Sequence, residues 1–183
     1  MNLEELIKSC IKQNRQAQEE LYNLYKKTLF VLCLKYCSNL AEAEDNLHNS
    51  FIEIFTNIKK IDNKGLFEGW IKRITINKAI NSYKNNYQFT PIKDDFEDEI
   101  YVDVNEINCS LDEMLLMIQE LPNQYRLVFS LYELDDYSHK EIAEMLSVSE
   151  NTSKSNLHRA KAILKEKIKI KNSFHKKTAT NGK

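Results

Sequence analysis

Ser138-His-Lys-Glu-Ile-Ala-Glu-Met-Leu-Ser-Val-Ser-Glu-Asn-Thr-Ser-Lys-Ser-Asn-Leu-His-Arg-Ala-Lys161 reads as two short helices hinged on a tight turn. Ser138 and Glu141 form a capping box that opens the first helix, and Ile142, Ala143 and Leu146 give it an apolar face. Ser147-Val148-Ser149 is the turn. Small Ala143 permits a close crossing, Val148 plugs the turn and Leu157 anchors the second helix. That helix offers Asn151, Thr152, Lys154, Ser155, His158 and Arg159, donors suited to phosphates and base edges. A purely structural helical hairpin could share the periodicity but would not need this run of donors. The stretch points to a DNA-binding helix-turn-helix.

The helical signal continues in both directions. The last helix runs to about residue 170 through Lys161, Lys165, Lys167 and Lys169, and residues 171–183 form a basic tail expected to fray. Upstream, Pro122 separates a helix over residues 123–133 from one opened by the capping box Ser110-Leu-Asp-Glu113, with Leu111, Met114, Leu115 and Ile118 as apolar residues. Residues 87–108 hold seven acidic side chains, one Lys and Pro91 without a sustained period, and read as a linker. Before it, helices over residues 3–13, 19–36, 42–58 and 67–84 make an N-terminal module. Leu21, Tyr25, Leu29, Leu32 and Tyr36 form one stripe, and Ala43, Leu47, Phe51, Ile54, Phe55 and Ile58 fall within an arc of about 120°. In the fourth helix Phe67, Trp70, Ile71 and Ile74 share a side, whereas Ile76, Ala79, Ile80 and Tyr83 rotate away from it. It must pack against more than one neighbour.

Only 3 Gly and 2 Pro in 183 residues leave too few turn residues for a protein of many strands, while 42% hydrophobic residues suffice for a core. The fold class is all-α. Two small helical domains, residues 1–86 and 109–170, are joined by the acidic linker 87–108, with the helix-turn-helix in the second and a flexible basic tail at 171–183. A net charge of −1 at first speaks against a nucleic-acid partner. Its layout reverses that reading: residues 1–86 carry 13 basic and 10 acidic groups, residues 87–120 carry 1 and 10, and residues 121–183 carry 12 and 7. An acidic middle cancels two basic ends.

No apolar run approaches the roughly 20 residues that span a bilayer, and Glu4 and Glu5 stand where a signal peptide would be basic, then apolar. A cytoplasmic protein without direct membrane insertion is expected. Cys10, Cys33, Cys37 and Cys109 form no metal-binding spacing and read as buried free thiols, although Cys33 and Cys37 lie one helical turn apart. No carboxylate pair, nucleophile triad or Gly-rich phosphate loop is present, so no catalytic residue, metal or cofactor is expected and the chain is not read as an enzyme. The enzyme-class rival is a helical phosphotransfer protein using His48, beside which only Asn46 and Asn49 could prepare a phosphate site.

The quoted helix-turn-helix resembles the promoter-reading motif of extracytoplasmic-function (ECF) sigma factors of bacterial RNA polymerase. Two further stretches carry the resemblance in the right order. Ala43-Glu-Asp-Asn-Leu-His-Asn-Ser-Phe51 resembles the family's polymerase-binding helix, and Phe67-Glu-Gly-Trp-Ile-Lys-Arg-Ile-Thr-Ile-Asn77 its element that reads the minus-ten region. The resemblance covers residues 17–170. The chain departs from the family pattern at His48-Asn49, where Gln-Glu is usual, at Ser147, where Gly is usual, at Ser153, a commonly apolar site, and at the less basic end Lys84-Asn85-Asn86.

The resemblance implies a non-enzymatic specificity subunit that directs core polymerase to promoters. The first domain would dock on the clamp of the β-prime subunit through Asp45, His48, Asn49 and Ile52, and the second on the flap of the β subunit. Thr152, Lys154, Ser155, His158, Arg159 and Lys161 would bind the minus-thirty-five duplex. Asp62, Asn63, Lys64, Phe67, Arg73, Asn77, Lys78 and Asn81 would hold the exposed non-template strand of the minus-ten element. An anti-sigma factor that occludes both domains is a further implied partner. Helical projection independently places Ile52 about 120° from the middle of its helix's apolar arc, among Asp45, His48, Asn49 and Thr56, so it should face outward. Trp70 either stacks on a base or joins the core through the Phe67 stripe. Asp94, Asp95, Glu97, Asp98 and Glu99 either imitate RNA phosphates in the basic channel of polymerase or form a solvated tether. The alternative to a sigma factor is a helix-turn-helix regulator that binds its operator without polymerase.

Overall fold

Three asparagines start the first three helices. In the computed structural model, α1 (Leu3–Ile11), α2 (Arg15–Tyr36) and α3 (Leu40–Asn57) begin on Asn2, Asn14 and Asn39, whose side chains accept the amides of Glu5, Ala17 and Glu42. Each cap satisfies one of the N–H groups left without an intrahelical partner. The structure describes residues 2–61, 64–86 and 110–180, without the side chains of Lys64 and residues 174–180. The described secondary structure is entirely helical and falls into two units, Met1–Asn86 and Tyr87–Lys183. The expected acidic linker, residues 87–108, lies outside the described residues, as does Cys109.

In the first unit α2, α3 and α4 (Phe67–Asn86) pack against one another and α1 closes on α2. The rotating apolar pattern of α4 is thereby explained: Ile71, Thr75, Ile76, Ala79, Ile80 and Tyr83 are all buried because α2 and α3 cover it from two sides. A polar knot ties the three helices. Buried Asn46 of α3 donates from Nδ2 to the Thr75 carbonyl of α4 at 3.2 Å and to Cys33 Sγ of α2 at 3.3 Å. Ser50 Oγ donates back to the Asn46 carbonyl at 2.6 Å. A buried amide costs free energy unless it is bonded, so these contacts favour one arrangement of the helices. Burial pushes the Cys10 and Cys33 thiols up to about 11, which keeps thiolate scarce at neutral pH.

In the second unit α5 (Leu111–Gln119) and α7 (His139–Leu146) open on the capping boxes Ser110/Glu113 and Ser138/Glu141. Between them α6 (Asn123–Phe129) passes into a π-helical turn, Ser130–Leu134, where the sequence suggests one continuous helix to residue 133. The last helix, α8 (Glu150–Thr180), runs past residue 170, where the apolar period stops, because no Gly or Pro interrupts it. Ile118, Leu121, Ala160 and Leu164 form the centre of one core cluster, flanked by Met114, Met117, Tyr125, Phe129 and Ile163. Arg126 is 2% exposed and serves the fold: Nη1 donates to the carbonyls of Gln119 and Leu121, both at 2.9 Å, and Nη2 to Asn123 Oδ1. It satisfies the end of α5 at the Pro122 break, where the helix ladder runs out.

Candidate nucleic-acid interface

The helix-turn-helix is built from α7 and α8 around buried Ile142, Leu146 and Leu157. Ser147 closes α7 in the left-handed region, φ 59° and ψ 45°, and Val148 N–H donates to the Ala143 carbonyl at 3.0 Å. The position that is glycine in the resembled pattern does require a positive φ here. Ser149 then starts α8, its Oγ accepting the Thr152 amide at 3.0 Å and lying 2.9 Å from Thr152 Oγ1.

The donors of α8 do not share one environment. Asn151 and Lys154 are exposed, whereas Thr152, His158 and Arg159 are half-buried. Ser155, expected among the DNA contacts, is buried at 6% exposure and its hydroxyl donates to the Asn151 carbonyl at 2.9 Å, a bond within the helix. Lys161 pairs with Glu133 at 2.7 Å, Lys167 with Glu120, and Lys171 with Glu113 at 2.6 Å. Much of the basic run therefore faces carboxylates of its own unit. Glu113 is held at about 2, well below the usual range, first by the hydrogen bond from Lys171 and then by the Ser110 amide.

A contact that sequence reasoning missed explains Ser153. It is fully buried, and its Oγ lies 2.9 Å from Nδ1 of His139, whose ring stacks on Tyr132 with centroids 4.4 Å apart. Burial lowers the His139 pKa, with Lys154 the next cause, so the neutral ring is favoured. The hydroxyl at a commonly apolar site has a partner across the motif. Its only sequence signal was a His beside an N-cap.

In the first unit Arg73, Asn77 and Asn81 are exposed and lie four residues apart, forming a strip along α4. Lys78 leaves that strip and pairs with Glu53 Oε2 of α3 at 2.6 Å. Phe67 is wholly buried, with Tyr25 and Trp70 rings 5.7 and 5.9 Å away, so it supports the helix from within instead of meeting a base. Trp70 is half-buried against it. Asp62 and Asn63 lie outside the described residues, and so does the Lys64 side chain. On α3, Asp45, His48 and Asn49 are exposed and Ile52 is 65% exposed, the outward orientation that projection requires. Asn46 is turned into the core, so it prepares no phosphate site beside His48. Among the described residues no group of three or more His, Cys, Asp or Glu could hold a metal, and no helix is long and apolar enough to cross a membrane.

Residues 21–88 match the family model described as Sigma-70 region 2, and residues 111–164 the one described as Sigma-70, region 4. The chain is 27% identical to the ECF RNA polymerase sigma factor SigW of Bacillus subtilis, over 91% of this chain and 99% of that one. It is 26% identical to SigM of the same organism, over 80% and 92%, and 24% identical to the sigma-E factor of Haemophilus influenzae, over 87% and 94%. A solved structure described as CnrH in complex with the cytosolic domain of CnrY aligns over 90% of this chain and 96% of that one, at 18% identity and a TM-score of 0.48.

Proposed function

This chain belongs to the ECF group of the sigma-70 family, and on that premise we propose that its two helical units read the two promoter elements while α3 holds the polymerase. As an ECF sigma factor it directs core RNA polymerase to promoter DNA and initiates transcription there. The observation that carries the residue assignment is the coexistence of two separate donor surfaces, one in each matched region.

In the second unit Lys154 and Asn151 stand free of the core, with Thr152, His158 and Arg159 at its edge. They meet the minus-thirty-five duplex, phosphates supplying affinity and one or two base edges supplying choice. In the first, the strip Arg73, Asn77 and Asn81 follows the non-template strand of the minus-ten element. Holding an unstacked base there offsets the few kcal/mol of unpairing and so stabilises open DNA. Asp45, His48, Asn49 and Ile52 meet the clamp of the β-prime subunit, and the second unit sits on the flap of the β subunit. An apolar side chain rimmed by polar ones has the anatomy of an interface centre. The protein works in the cytoplasm, without a catalytic residue or cofactor of its own, and an anti-sigma factor that covers both units restrains it.

Run-off transcription with purified core polymerase on genomic DNA fragments tests this. New start sites that depend on the chain are expected. Tight, sequence-specific binding by the chain alone, with no start site dependent on it, would overturn the reading in favour of a polymerase-independent regulator.

A further inference from the structure

A hollow of about 190 Å³ opens in the first unit beside the far end of α3. Its apolar walls are Ile11, Phe55 and Ile58, and its polar edge is Gln13, Thr56 and Lys59. Ile58 is buried and Phe55 half-buried, whereas Ile11 is 37% exposed and Gln13, Thr56 and Lys59 are exposed. At its edge the chain leaves α1 with Gln13 at φ 60° and leaves α3 through the 3₁₀ turn Ile58–Lys60.

The hollow is continuous with the face assigned to polymerase. Thr56, on its edge, lies one helical turn beyond Ile52, and Thr56 Oγ1 donates to the Ile52 carbonyl at 2.7 Å. We propose that the hollow is the anchor socket of the polymerase interface: it takes one apolar side chain of the partner segment, and Lys59 pairs with a carboxylate next to that side chain. This rests on the reading of α3 as the polymerase-binding helix.

Charge sets the direction of the occupant. The start of the α3 face is acidic, with Glu42, Glu44 and Asp45 exposed, and its far end is basic, with Lys59 and Lys60 exposed. Fourteen residues from Asp45 to Lys59 correspond to roughly 20 Å of helix at about 1.5 Å per residue. A partner segment laid along α3 therefore carries basic groups opposite Asp45 and an apolar residue with a carboxylate opposite the hollow. Buried anchors in pockets carry most of the energy of such interfaces, and charges at the edge set register.

The test is the affinity of the full chain for purified core polymerase, measured for Thr56→Phe, Ile11→Trp, Lys59→Glu and Ile52→Asp, with helicity and melting temperature as folding controls. Thr56→Phe fills the hollow from an exposed position, and it is the deciding variant if Ile11→Trp fails to fold. Filling the hollow should weaken association at least about tenfold, and Lys59→Glu should weaken it with a smaller dependence on salt. Wild-type affinity of a folded Thr56→Phe while Ile52→Asp fails to bind overturns the socket and leaves the α3 reading standing. Wild-type affinity of both removes the α3 reading too. Concentration-dependent dimerisation that Thr56→Phe abolishes, with polymerase affinity unchanged, assigns the hollow to a second copy and also overturns the proposal.

Discussion

Ser147 holds a left-handed backbone, φ 59° and ψ 45°, where its Cβ is a burden that glycine lacks. Ser147→Gly should stabilise the C-terminal unit by about 0.5–1 kcal/mol and raise its melting temperature, since relief of strain outweighs the extra freedom of the unfolded chain. A melting temperature equal to or below that of the wild type would show that the turn is not strained. Asn46→Ala should act in the opposite direction. It removes the amide that joins Thr75 and Cys33 and leaves a small void, at a cost of about 2 kcal/mol by denaturant unfolding. The two positions differ in how far sequence discloses them. At Ser147 the only sequence signal for a positive φ is the glycine usual there in the resembled family, whereas the exposure of Ile52 follows from the angle of one helix. Asn46 projects about 120° from the middle of the α3 apolar arc, as far as Ile52 but on the other side, and whether that side is wet depends on where α4 lies, which no local pattern specifies. Phe67 is ambiguous in sequence for a related reason: it belongs both to the resembled minus-ten element and to the core stripe, and it is packing that buries it.

At the scale of the element, α8 divides into an end with an exposed lysine, proposed to read DNA, and a clamping end whose lysines are paired within the unit. Lys154 is exposed, whereas Lys161, Lys167 and Lys171 are paired with Glu133, Glu120 and Glu113. In sequence all four look like one basic run, because the acidic partners of the last three lie 28 to 58 positions away. Lys154→Ala should weaken promoter binding by the holoenzyme and reduce the slope of log affinity against log salt by about 1, the mark of one lost phosphate contact. Lys167→Ala should leave that slope unchanged. Equal effects of the two would erase the division. The clamping end also has a pH dependence. Glu113 sits at about 2 in the folded state against an ordinary 4.5, so the folded form binds its proton less readily than the unfolded one. Its contribution is present above about 4.5 and is lost as pH falls toward 2. The protection factors of the α5 amides, observed exchange corrected for the intrinsic rate at each pH, should therefore fall through that window, and Lys171→Met should flatten the dependence. α5 is the sensitive element because Ile118 is the one fully buried residue among its nine.

For the whole molecule, the near-zero net charge becomes a working property if both units read DNA, as proposed above. A strongly basic chain would bind any DNA through counterion release, and its specificity would fall. The acidic stretch at residues 87–120 offsets the basic ends without occupying either donor surface in sequence. Replacing Asp94, Asp95, Glu97, Asp98 and Glu99 by Asn and Gln removes five charges and shifts the formal net charge from −1 to +4. The free variant should then bind random duplex DNA more tightly than the wild type at low salt, with the difference vanishing as salt rises above a few tenths molar, where the Debye length drops below about 6 Å. Fluorescence anisotropy on a non-promoter duplex measures this directly. In the holoenzyme the same variant reports on the linker itself: if these carboxylates occupy the RNA path of polymerase, the yield of abortive RNA changes along with DNA binding by the free chain. A change in free-chain DNA binding with unaltered product lengths would confine the linker to an electrostatic shield, and no change in either would show that the acidic middle acts on neither process.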